Sequence, residues 1–368
     1  MWLQVLLIFF AFILFLRYKT IGDSVYTRHN YITWLIALLI IQSGLRHFAI
    51  GDDTFAYFRF FEELKKESWE EVFHHFYEVY VLKIGKDAGF QLLEKVFQVF
   101  CPDFQLFLIA VAAAFFIPFY RMVERYLPSL RMVFMSFCIY QALFYSFFSI
   151  TGIRQVVATI ATIIGVKFIE ERKLLNFFIV IILASFIHKS VLIFLPFYFL
   201  ANFKKSNLVL ICSLCSLPVI FPFARGISRM MVSISGSDVY TMYSESDYET
   251  SGAQNFVILM VFSTICLIIA KWKNPGRIPN LVVNAMSLAL IFTPLTWVDP
   301  SLMRVVQYFS IFLVIGLPLA LDNIGMDKFM FKLTYLGITS LLLYTIIRRS
   351  YEYAFFWENM KLPPTFPF

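Results

Sequence analysis

Long apolar runs recur along almost the whole chain, each close to the length that crosses a lipid bilayer. A spanning helix needs about 20 apolar residues, with a range of roughly 17–25. The runs lie at 2–16, 32–50, 104–120, 132–150, 153–169, 174–187, 190–203, 207–223, 255–270, 281–298, 305–321 and 333–347. Helices are expected because backbone groups in lipid must be satisfied within their own segment, and the runs lack the alternating polarity of barrel strands. The sequence predicts an all-α, polytopic integral membrane protein with roughly twelve transmembrane helices.

The composition excludes a soluble protein. Hydrophobic residues make up 60% of the chain and charged residues 15%, whereas a soluble domain carries about 25% charged residues. The net charge of +7 would elsewhere favour a nucleic-acid partner. Here the basic residues lie between apolar runs, where they orient helices in the membrane, so no nucleic acid is expected. The run at 2–16 has no small-residue cleavage site and ends before Arg17, which indicates a retained first helix.

The Lys and Arg residues concentrate in every second loop, which predicts that these loops are cytoplasmic. They are Arg17, Lys19, Arg28, Arg121, Arg125, Arg131, Arg172, Lys173, Lys204, Lys205, Lys271, Lys273, Arg277, Lys328 and Lys332. The opposite, external side then holds both termini and the loops 51–103, 151–152, 224–254 and 299–304. We therefore predict one membrane domain over 1–368 with two large external loops, 51–103 and 224–254.

One pair of apolar segments is too short to span. Segments 174–187 and 190–203 each reach only about 20 Å as helices, against roughly 30 Å of hydrocarbon. Basic residues tether the far end of each segment to the cytoplasmic side. The sequence therefore predicts a broken hairpin whose tip, His188-Lys189-Ser190, lies at the base of an external cavity, because lipid does not accommodate such residues.

The first external loop contains three segments that mix aromatic and charged residues at helical spacing, at 54–64, 69–81 and 90–100. Amphipathic helices of this kind lie along the membrane interface or cover a site. The second loop, 224–254, is rich in Ser, Tyr and acidic residues. It is interpreted either as a mobile cover or as a solvated linker.

Several ionisable residues lie in or beside the apolar runs, and all fall on the external side of this topology. They are Arg46, the Asp52-Asp53 pair, Arg154 with its neighbour Gln155, His188 and Arg304. A charge at the centre of a spanning helix costs at least about 2.5–3.5 kcal/mol. One such Arg alone is explained as an interfacial anchor. Together, these residues predict a shared polar cavity.

Three Arg residues in an external cavity require anions. Asp52 and Asp53 supply some, and a phosphate-bearing ligand would supply the rest, since guanidinium groups match phosphate oxygens with paired hydrogen bonds. His188 is the candidate for proton transfer, because histidine has an ordinary pKa of about 6.5. The alternative is a structural histidine bonded to a backbone carbonyl.

Five short motifs carry a resemblance to a known family. They are LRHFAIGDDTFAY at 45–57, DAGFQLL at 87–93, GIRQVVATIA at 152–161, ASFIHKSVLIFLP at 184–196 and RVVQYF at 304–309. In this order they resemble the EpsG family of bacterial polysaccharide polymerases, relatives of the Wzy O-antigen polymerases. The resemblance covers most of the chain and is best over 44–200. The family often has Glu at the position of Asp87.

The resemblance implies a substrate and a cellular setting. The substrate would be an oligosaccharide repeat unit of O-antigen, capsule or exopolysaccharide on polyprenyl pyrophosphate, polymerised at the outer face of the bacterial cytoplasmic membrane. Membrane lipids and a flippase and chain-length regulator of the same pathway are the implied partners. Neither a metal nor another cofactor is expected, since the pyrophosphate bond already holds the energy and no metal-ligand spacing occurs.

The expected roles combine this reaction with the residues above. Arg46, Arg154 and Arg304 would bind pyrophosphate, and His188, Asp52 or Asp53 would take the proton of the attacking hydroxyl. Sugar contacts are assigned to Tyr57, Gln155, Tyr308 and Asp87, with Trp69 and Tyr80 as further stacking aromatics.

Three other functions remain open at this point. A glycan ligase would use the same carrier and the same Arg residues. A membrane O-acyltransferase would also have an intramembrane His, but its acyl donor arrives from the cytoplasm, away from the Arg cluster. A flippase or transporter commonly has paired broken helices, whereas this sequence shows one broken hairpin without a twin.

Overall fold

The computed structural model describes residues 2–51, 53–85, 88–235, 253–298, 302–348, 353–360 and Leu362. Throughout these ranges the regular elements are helices, accompanied by one isolated β-bridge between Arg46 and Phe355. The prediction of an all-helical chain is confirmed.

Seventeen α-helices are described. They are α1 (Trp2–Ile21), α2 (Val25–Gly44), α3 (Thr54–Leu64), α4 (Trp69–Tyr77), α5 (Ala88–Phe100), α6 (Phe104–Tyr126), α7 (Leu130–Ile139), α8 (Ile153–Glu170), α9 (Leu174–Ser185), α10 (Phe197–Leu200), α11 (Ser206–Ser235), α12 (Ala253–Lys273), α13 (Asn280–Phe292), α14 (Leu295–Val298), α15 (Met303–Ser310), α16 (Leu313–Asn323) and α17 (Lys328–Arg348). Shorter π-helical turns cover Glu78–Leu82, Tyr140–Phe144 and Ser146–Ile150, and a 3₁₀ helix covers Lys189–Phe194.

Among the described helices, five are long and apolar enough to cross a membrane. They are α1, α6, α12, α17 and the part of α11 at Ser206–Ile227. The pair α15 and α16, bent by 45°, makes a sixth if it forms one span. Four further apolar segments are shorter, at Leu130–Phe144, Leu174–Ser185, Lys189–Leu200 and Asn280–Phe292. These helices make the chain a multi-pass membrane protein.

The chain forms two compact units. The first contains Met1–Leu130, Phe144–Leu192 and Ser350–Phe368, and the second contains Arg131–Leu143 and Ile193–Arg349. In the first unit, α2 packs against α1 and α6, α6 against α8, and α8 against α9. The close approach of α2 and α6 depends on Gly44, where a Cβ would lie 2.9 Å from the Cα of Ile109.

The three amphipathic helices expected between residues 51 and 103 are present as α3, α4 and α5. Helix α3 has the predicted bounds, α4 continues into the π-helical turn that ends at Leu82, and α5 begins at Ala88, two residues before the predicted start. Ser68 begins α4 with a capping box, since its hydroxyl accepts the N–H of Glu71 at 3.2 Å and the Glu71 carboxylate accepts the N–H of Ser68 at 2.6 Å.

The predicted broken hairpin consists of short helices interrupted by turns. Helix α9 ends at Ser185, and the following arm consists of a 3₁₀ helix, Lys189–Phe194, then Pro196 and the four-residue α10. Pro196 lacks an N–H and cannot continue a helical ladder through its position. His188 therefore lies at the turn between the two arms.

Several predicted spans differ from the helices in bounds or continuity. The span predicted at 32–50 is α2, which lies earlier in the chain and ends at Gly44, before Arg46. The span predicted at 207–223 is longer in the structure, because α11 continues to Ser235 despite Pro218 and Pro222. Most of the predicted loop 224–254 lies outside the described residues, which resume at Ala253. The span predicted at 305–321 is divided into α15 and α16, and the span predicted at 281–298 is divided into α13 and α14. The span at 132–150 is α7 followed by two π-helical turns. The apolar pattern carries no signal for these local changes of helix type.

In the second unit, α13 packs against α11 and α15, and α12 packs against α16. Asn284 fixes the end of α10, because its amide nitrogen donates to the carbonyl oxygens of Leu200, Ala201 and Phe203 at 2.9–3.1 Å. This contact satisfies carbonyl groups that a helix end leaves without intrahelical partners.

Candidate functional site

The turn that follows α2 carries Arg46 and His47. Arg46 is 3% exposed, and its Nη1 donates to the carbonyl oxygen of Ser43. The predicted pyrophosphate ligand Arg46 is therefore almost completely enclosed, with one guanidinium nitrogen bound to the end of α2.

The C-terminal segment 353–358, here called the strap, holds this turn in place. The N–H of His47 donates to the carbonyl oxygen of Ala354 at 2.9 Å, and the N–H of Phe356 donates to that of Leu45 at 3.0 Å. Tyr353 adds a side-chain bond from its hydroxyl to the carbonyl oxygen of Gln42 at 2.8 Å. No local pattern in the sequence indicates this pairing.

His47 is a buried histidine that the sequence reasoning did not select. Burial lowers the pKa of His47, and the carboxylate of Glu358 acts in the opposite direction. Its Nδ1 accepts the N–H of Ala49 at 3.0 Å. A neutral ring with this bond carries its hydrogen on Nε2. The only sequence signal for His47 was its place beside Arg46.

The same turn is bound to the segment that precedes α8. Thr54 donates its hydroxyl to the carbonyl oxygen of Ile150 at 2.7 Å, and Ser43 donates to that of Ser149 at 3.2 Å. Gly51 has a φ of 95°, and a Cβ there would lie 2.6 Å from the carbonyl oxygen of Ile150. Only glycine fits this combination of left-handed backbone and close approach.

These contacts place Asp53 and Arg154 on chain segments that are bound to each other. Asp53 immediately precedes α3, and its side chain makes no cap bond to that helix. Arg154 is the second residue of α8, after Gly152 in the left-handed conformation. Asp52 and Asp87 lie outside the described residues.

Arg154 is held by aromatic side chains from two other helices. Its Nε donates to the Oη of Tyr57 at 2.9 Å. Its Cζ lies 4.9 Å from the ring centroid of Tyr57 and 5.9 Å from that of Phe90. Guanidinium groups bind aromatic faces favourably at such distances. The guanidinium therefore has a defined orientation.

Tyr57 is enclosed by these contacts. It is 6% exposed, and its ring also lies edge-on to that of Phe90 at 5.5 Å. In this structure, Tyr57 supports Arg154 and offers no open ring face to a sugar. Gln155, the next residue of α8, is also buried.

The hairpin turn with His188 is covered by the amphipathic helices. Tyr80 donates its hydroxyl to the carbonyl oxygen of Phe186, and the two rings meet edge-on at 4.9 Å. Helix α5 approaches the same residue so closely that a Cβ on Gly89 would lie 2.5 Å from the Phe186 carbonyl carbon. His188, half-buried, follows two residues later, and its N–H donates to the carbonyl oxygen of Ala184 at 3.0 Å.

One apolar cluster connects the surroundings of Arg154 and His188. It includes Tyr57, Phe90 and Ile153, with Ile187 packed against it. Ile153 precedes Arg154 and Ile187 precedes His188. The structure thus brings together the chain segments that carry Arg154, Asp53 and His188, all within the first unit.

Glu94 is a second residue that the sequence reasoning missed. It is 2% exposed and lies on α5 between Phe90 and Phe97, whose rings both contact Phe107. Its Oε1 has no hydrogen-bond partner in the described part of the chain. Burial alone raises the pKa of Glu94 well above its ordinary range. An acidic residue on the apolar face of α5 was the available sequence signal.

Arg304 and Tyr308 belong to the second unit, where both lie on α15. Arg304 is half-buried in the first turn of this helix, and Tyr308 is fully enclosed. Gln307, on the same helix, is 3% exposed, and its Oε1 has no hydrogen-bond partner among the described residues. The neighbouring Val305 packs with Leu295 and Leu302.

No group of three His, Cys, Asp or Glu side chains that could hold a metal ion occurs within the described ranges. Comparison with curated proteins and with solved structures gives no match. A family model, the EpsG family, matches residues 29–361. That match spans most of the chain and includes every segment of the candidate site, so the protein belongs to the EpsG family.

Proposed function

We propose that this protein polymerises oligosaccharide repeat units carried on polyprenyl pyrophosphate. Membership of the EpsG family indicates a polysaccharide polymerase of the membrane. The observation that supports the finer proposal is Arg154, held in a fixed orientation by Tyr57 and Phe90. It lies on a segment bound to the turn that leads to Asp53.

The position of Arg154 suits a pyrophosphate group. The residue lies in the first turn of α8, where backbone N–H groups and the helix dipole also favour anions. A guanidinium held in one orientation matches phosphate oxygens with planar, paired hydrogen-bond geometry. Arg304 has the corresponding position in the first turn of α15, in the second unit, and remains a proposed phosphate-binding residue.

The proposed reaction transfers the growing chain to the next repeat unit. A hydroxyl oxygen of the acceptor sugar forms a bond to C1 of the sugar attached to pyrophosphate. The bond from C1 to the phosphate oxygen breaks, and polyprenyl pyrophosphate leaves with the electron pair. The hydroxyl proton passes to a base, for which we propose His188, with Asp53 or Asp52 as the alternatives. Arg154 stabilises the charge that develops on the leaving group.

The geometry changes the roles of four predicted residues. Arg46 is bound to the end of α2, so we assign it to holding the turn in front of Asp53. Tyr57 positions Arg154. Tyr308 and Gln155 are both enclosed, so we no longer assign them to sugar contacts. Asp87 remains a proposed sugar contact, and Trp69, 41% exposed, remains a proposed stacking residue.

The proposal includes a topology and a setting. The chain crosses the cytoplasmic membrane of a bacterium roughly twelve times, with both termini and the site on the outer face. This face is where the positive-inside pattern places residues 51–103. A flippase would supply the substrate and a chain-length regulator would limit the product, an O-antigen, capsule or exopolysaccharide as in Wzy-type synthesis. The reaction needs no metal.

The test is polymer synthesis by purified protein in lipid nanodiscs, supplied with lipid-linked repeat units isolated from the source cell. We expect a ladder of products that differ by one repeat unit, undiminished by EDTA. Absence of a ladder with folded protein would contradict the proposal. A glycan ligase would instead make one transfer to a separate acceptor, and a transporter would move the substrate without lengthening it.

A further inference from the structure

The strap presents a row of three aromatic rings. Tyr353, Phe355 and Trp357 lie at alternate positions along the strap, and their rings contact one another in that order. The rings of Tyr353 and Phe355 meet edge-on at 5.2 Å, and those of Phe355 and Trp357 stack at 4.5 Å with an angle of 4°. The last ring, the Trp357 indole, is 60% exposed.

The exposed indole is held by the backbone around it. The N–H of Glu358 donates to the carbonyl oxygen of Phe355 at 2.9 Å, which closes a turn around Trp357. The Glu358 carboxylate accepts the N–H of Phe355 at 3.3 Å. A ring fixed in this way loses little conformational entropy when a ligand stacks on it.

The strap is also attached to the candidate site. Its bonds to Leu45 and His47 connect it to the turn that leads to Asp53, and Glu358 is close enough to His47 to influence its pKa. A ligand on Trp357 would therefore lie beside the segment that we assign to the reaction.

The polar residues beside Trp357 distinguish a sugar ligand from lipid. Interfacial Trp residues commonly anchor membrane proteins at the headgroup level. Here Glu358 and Asn359, both exposed, follow the indole directly. A carboxylate and an amide supply acceptors and donors for hydroxyl groups, while the indole face suits the C–H side of a pyranose ring. The Glu358 carboxylate repels the phosphates of anionic lipid headgroups, and acyl chains offer no hydrogen-bond partner to either residue.

We propose that the strap is a carbohydrate subsite, in which a sugar ring of the lipid-linked glycan stacks on Trp357 and donates a hydroxyl hydrogen to Glu358. This inference rests on the proposed function, since it assigns a binding place to the glycan of the same substrate. The subsite would hold the glycan while Arg154 contacts the pyrophosphate.

The first test measures binding directly. The protein, labelled with 5-fluorotryptophan in nanodiscs, contains six Trp residues, and Trp357→Phe identifies the resonance of Trp357. The probe is the repeat-unit oligosaccharide released by mild acid from the lipid-linked substrate. We expect this probe to shift the Trp357 resonance, and polyprenyl pyrophosphate without a glycan to leave it unchanged. No shift with the oligosaccharide would overturn the subsite.

The second test measures turnover in variants of the strap. We expect Trp357→Ala to raise KM for the lipid-linked repeat unit about tenfold, as the loss of one aromatic contact predicts, while Trp357→Phe retains most of the affinity. Trp272→Ala is the matched control, because Trp272 is also an exposed indole, at 82%, and lies on α12 rather than in the strap. Unchanged KM in Trp357→Ala, or equal loss of folded protein in both Ala variants, would overturn the inference.

These tests separate the subsite from the polymerase activity. Wild-type protein that forms a polymer ladder but shows no Trp357 shift contradicts the subsite alone. Protein that shows the shift but forms no ladder supports a glycan-binding strap and contradicts the polymerase.

Discussion

Arg154 combines a charge with a defined orientation, and only one of these survives replacement by Lys. An ammonium group keeps the charge but loses the planar, paired geometry and the bond from Nε to Tyr57. We expect Arg154→Lys to lower kcat by about 10²–10³-fold, the usual loss when one donor to a developing negative charge is removed.

Tyr57→Phe is the matched control for Arg154→Lys, since it keeps the ring under the guanidinium and removes one hydrogen bond. We expect a loss of about 2- to 12-fold, as for a single net hydrogen bond. The rate of ladder formation per folded molecule, compared with wild type, measures the loss in each of the two variants. Full activity in a normally abundant Lys variant would reduce Arg154 to a membrane anchor.

His188 lies at a hairpin turn, so a catalytic role and a structural role predict different outcomes. As the base, His188→Ala lowers kcat by roughly 10²–10⁴-fold and leaves donor binding little changed. As a structural residue, it lowers abundance or thermal stability while folded protein turns over normally. His74→Ala, at an exposed position of α4, serves as the control. A stable, fully active His188→Ala protein would move the base role to Asp53 or Asp52.

Glu94 gives a prediction about stability and pH. Because burial raises the pKa of Glu94, the folded protein keeps a proton that the unfolded chain releases at lower pH. Stability therefore falls as the pH rises from the unfolded pKa toward the higher folded pKa. Gln cannot ionise, so Glu94→Gln should reduce this fall and unfold at a higher temperature than wild type in the upper part of the range.

Thermal unfolding between about pH 4 and pH 8 measures the effect, since this range begins near the ordinary Glu pKa of about 4.3. Glu70→Gln, a change of an exposed carboxylate on α4, should leave the wild-type pH dependence in place. If the unfolding temperature changes with pH equally in Glu94→Gln and in wild type, Glu94 is not the cause of the pH dependence.

Sequence reasoning selected Arg154, Asp53 and His188 as candidates, because a charged or polar residue in or beside an apolar run is a local signal, and their roles stay predictions. It missed His47, since nothing local distinguishes this histidine from an interfacial residue. It missed Glu94 because its importance depends on which face of α5 meets Phe107. The strap depends on bonds between residues far apart in the chain, for which one sequence offers no pattern.

At the scale of elements, the close contact between α5 and the hairpin turn depends on a single glycine. A Cβ at Gly89 would enter the space of the Phe186 carbonyl group, and backbone at this turn cannot give way cheaply. We expect Gly89→Ala to lower the unfolding temperature and the activity together, because α5 would move away from the turn that carries His188.

Gly337→Ala is the control for Gly89→Ala. This glycine lies within α17, where a Cβ would meet nothing within 4 Å. Since Ala is a better helix former than Gly by about 1 kcal/mol, the control should be neutral or slightly stabilising. The unfolding temperatures of both variants are measured in the same nanodiscs. An unchanged unfolding temperature in Gly89→Ala would contradict the close packing of α5 on the hairpin turn.

The amphipathic helices α3 to α5 could be predicted because their hydrophobic period is local and strong. Whether an apolar segment forms one continuous helix could not be predicted from the sequence. The bend of 45° between α15 and α16, like the π-helical turns at Tyr140–Phe144 and Ser146–Ile150, lies in sequence rich in aromatic and aliphatic residues. The spacing of these residues does not distinguish a straight α-helix from a bent or π-helical one.

At the scale of the whole molecule, the topology can be tested by labelling. In a variant without the five native Cys residues, a single Cys at Glu67 should react with a membrane-impermeant reagent from outside. A single Cys at Arg125 or Asn274 should not react, because the positive-inside pattern places both positions in the cytoplasm. External labelling of position 125 would divide the proposed Arg cluster between two faces of the membrane.

The strap has a consequence for biosynthesis. Tyr353 binds Gln42, a residue that precedes it by 311 positions. At about 5–20 residues per second, the ribosome makes the strap roughly 15–60 s after the turn that it binds. During this interval Arg46 and His47 lie in a nascent chain without their backbone partners from the strap. A protein cut short before Tyr353 would retain every predicted span, enter the membrane and yet lack the contacts that hold this turn.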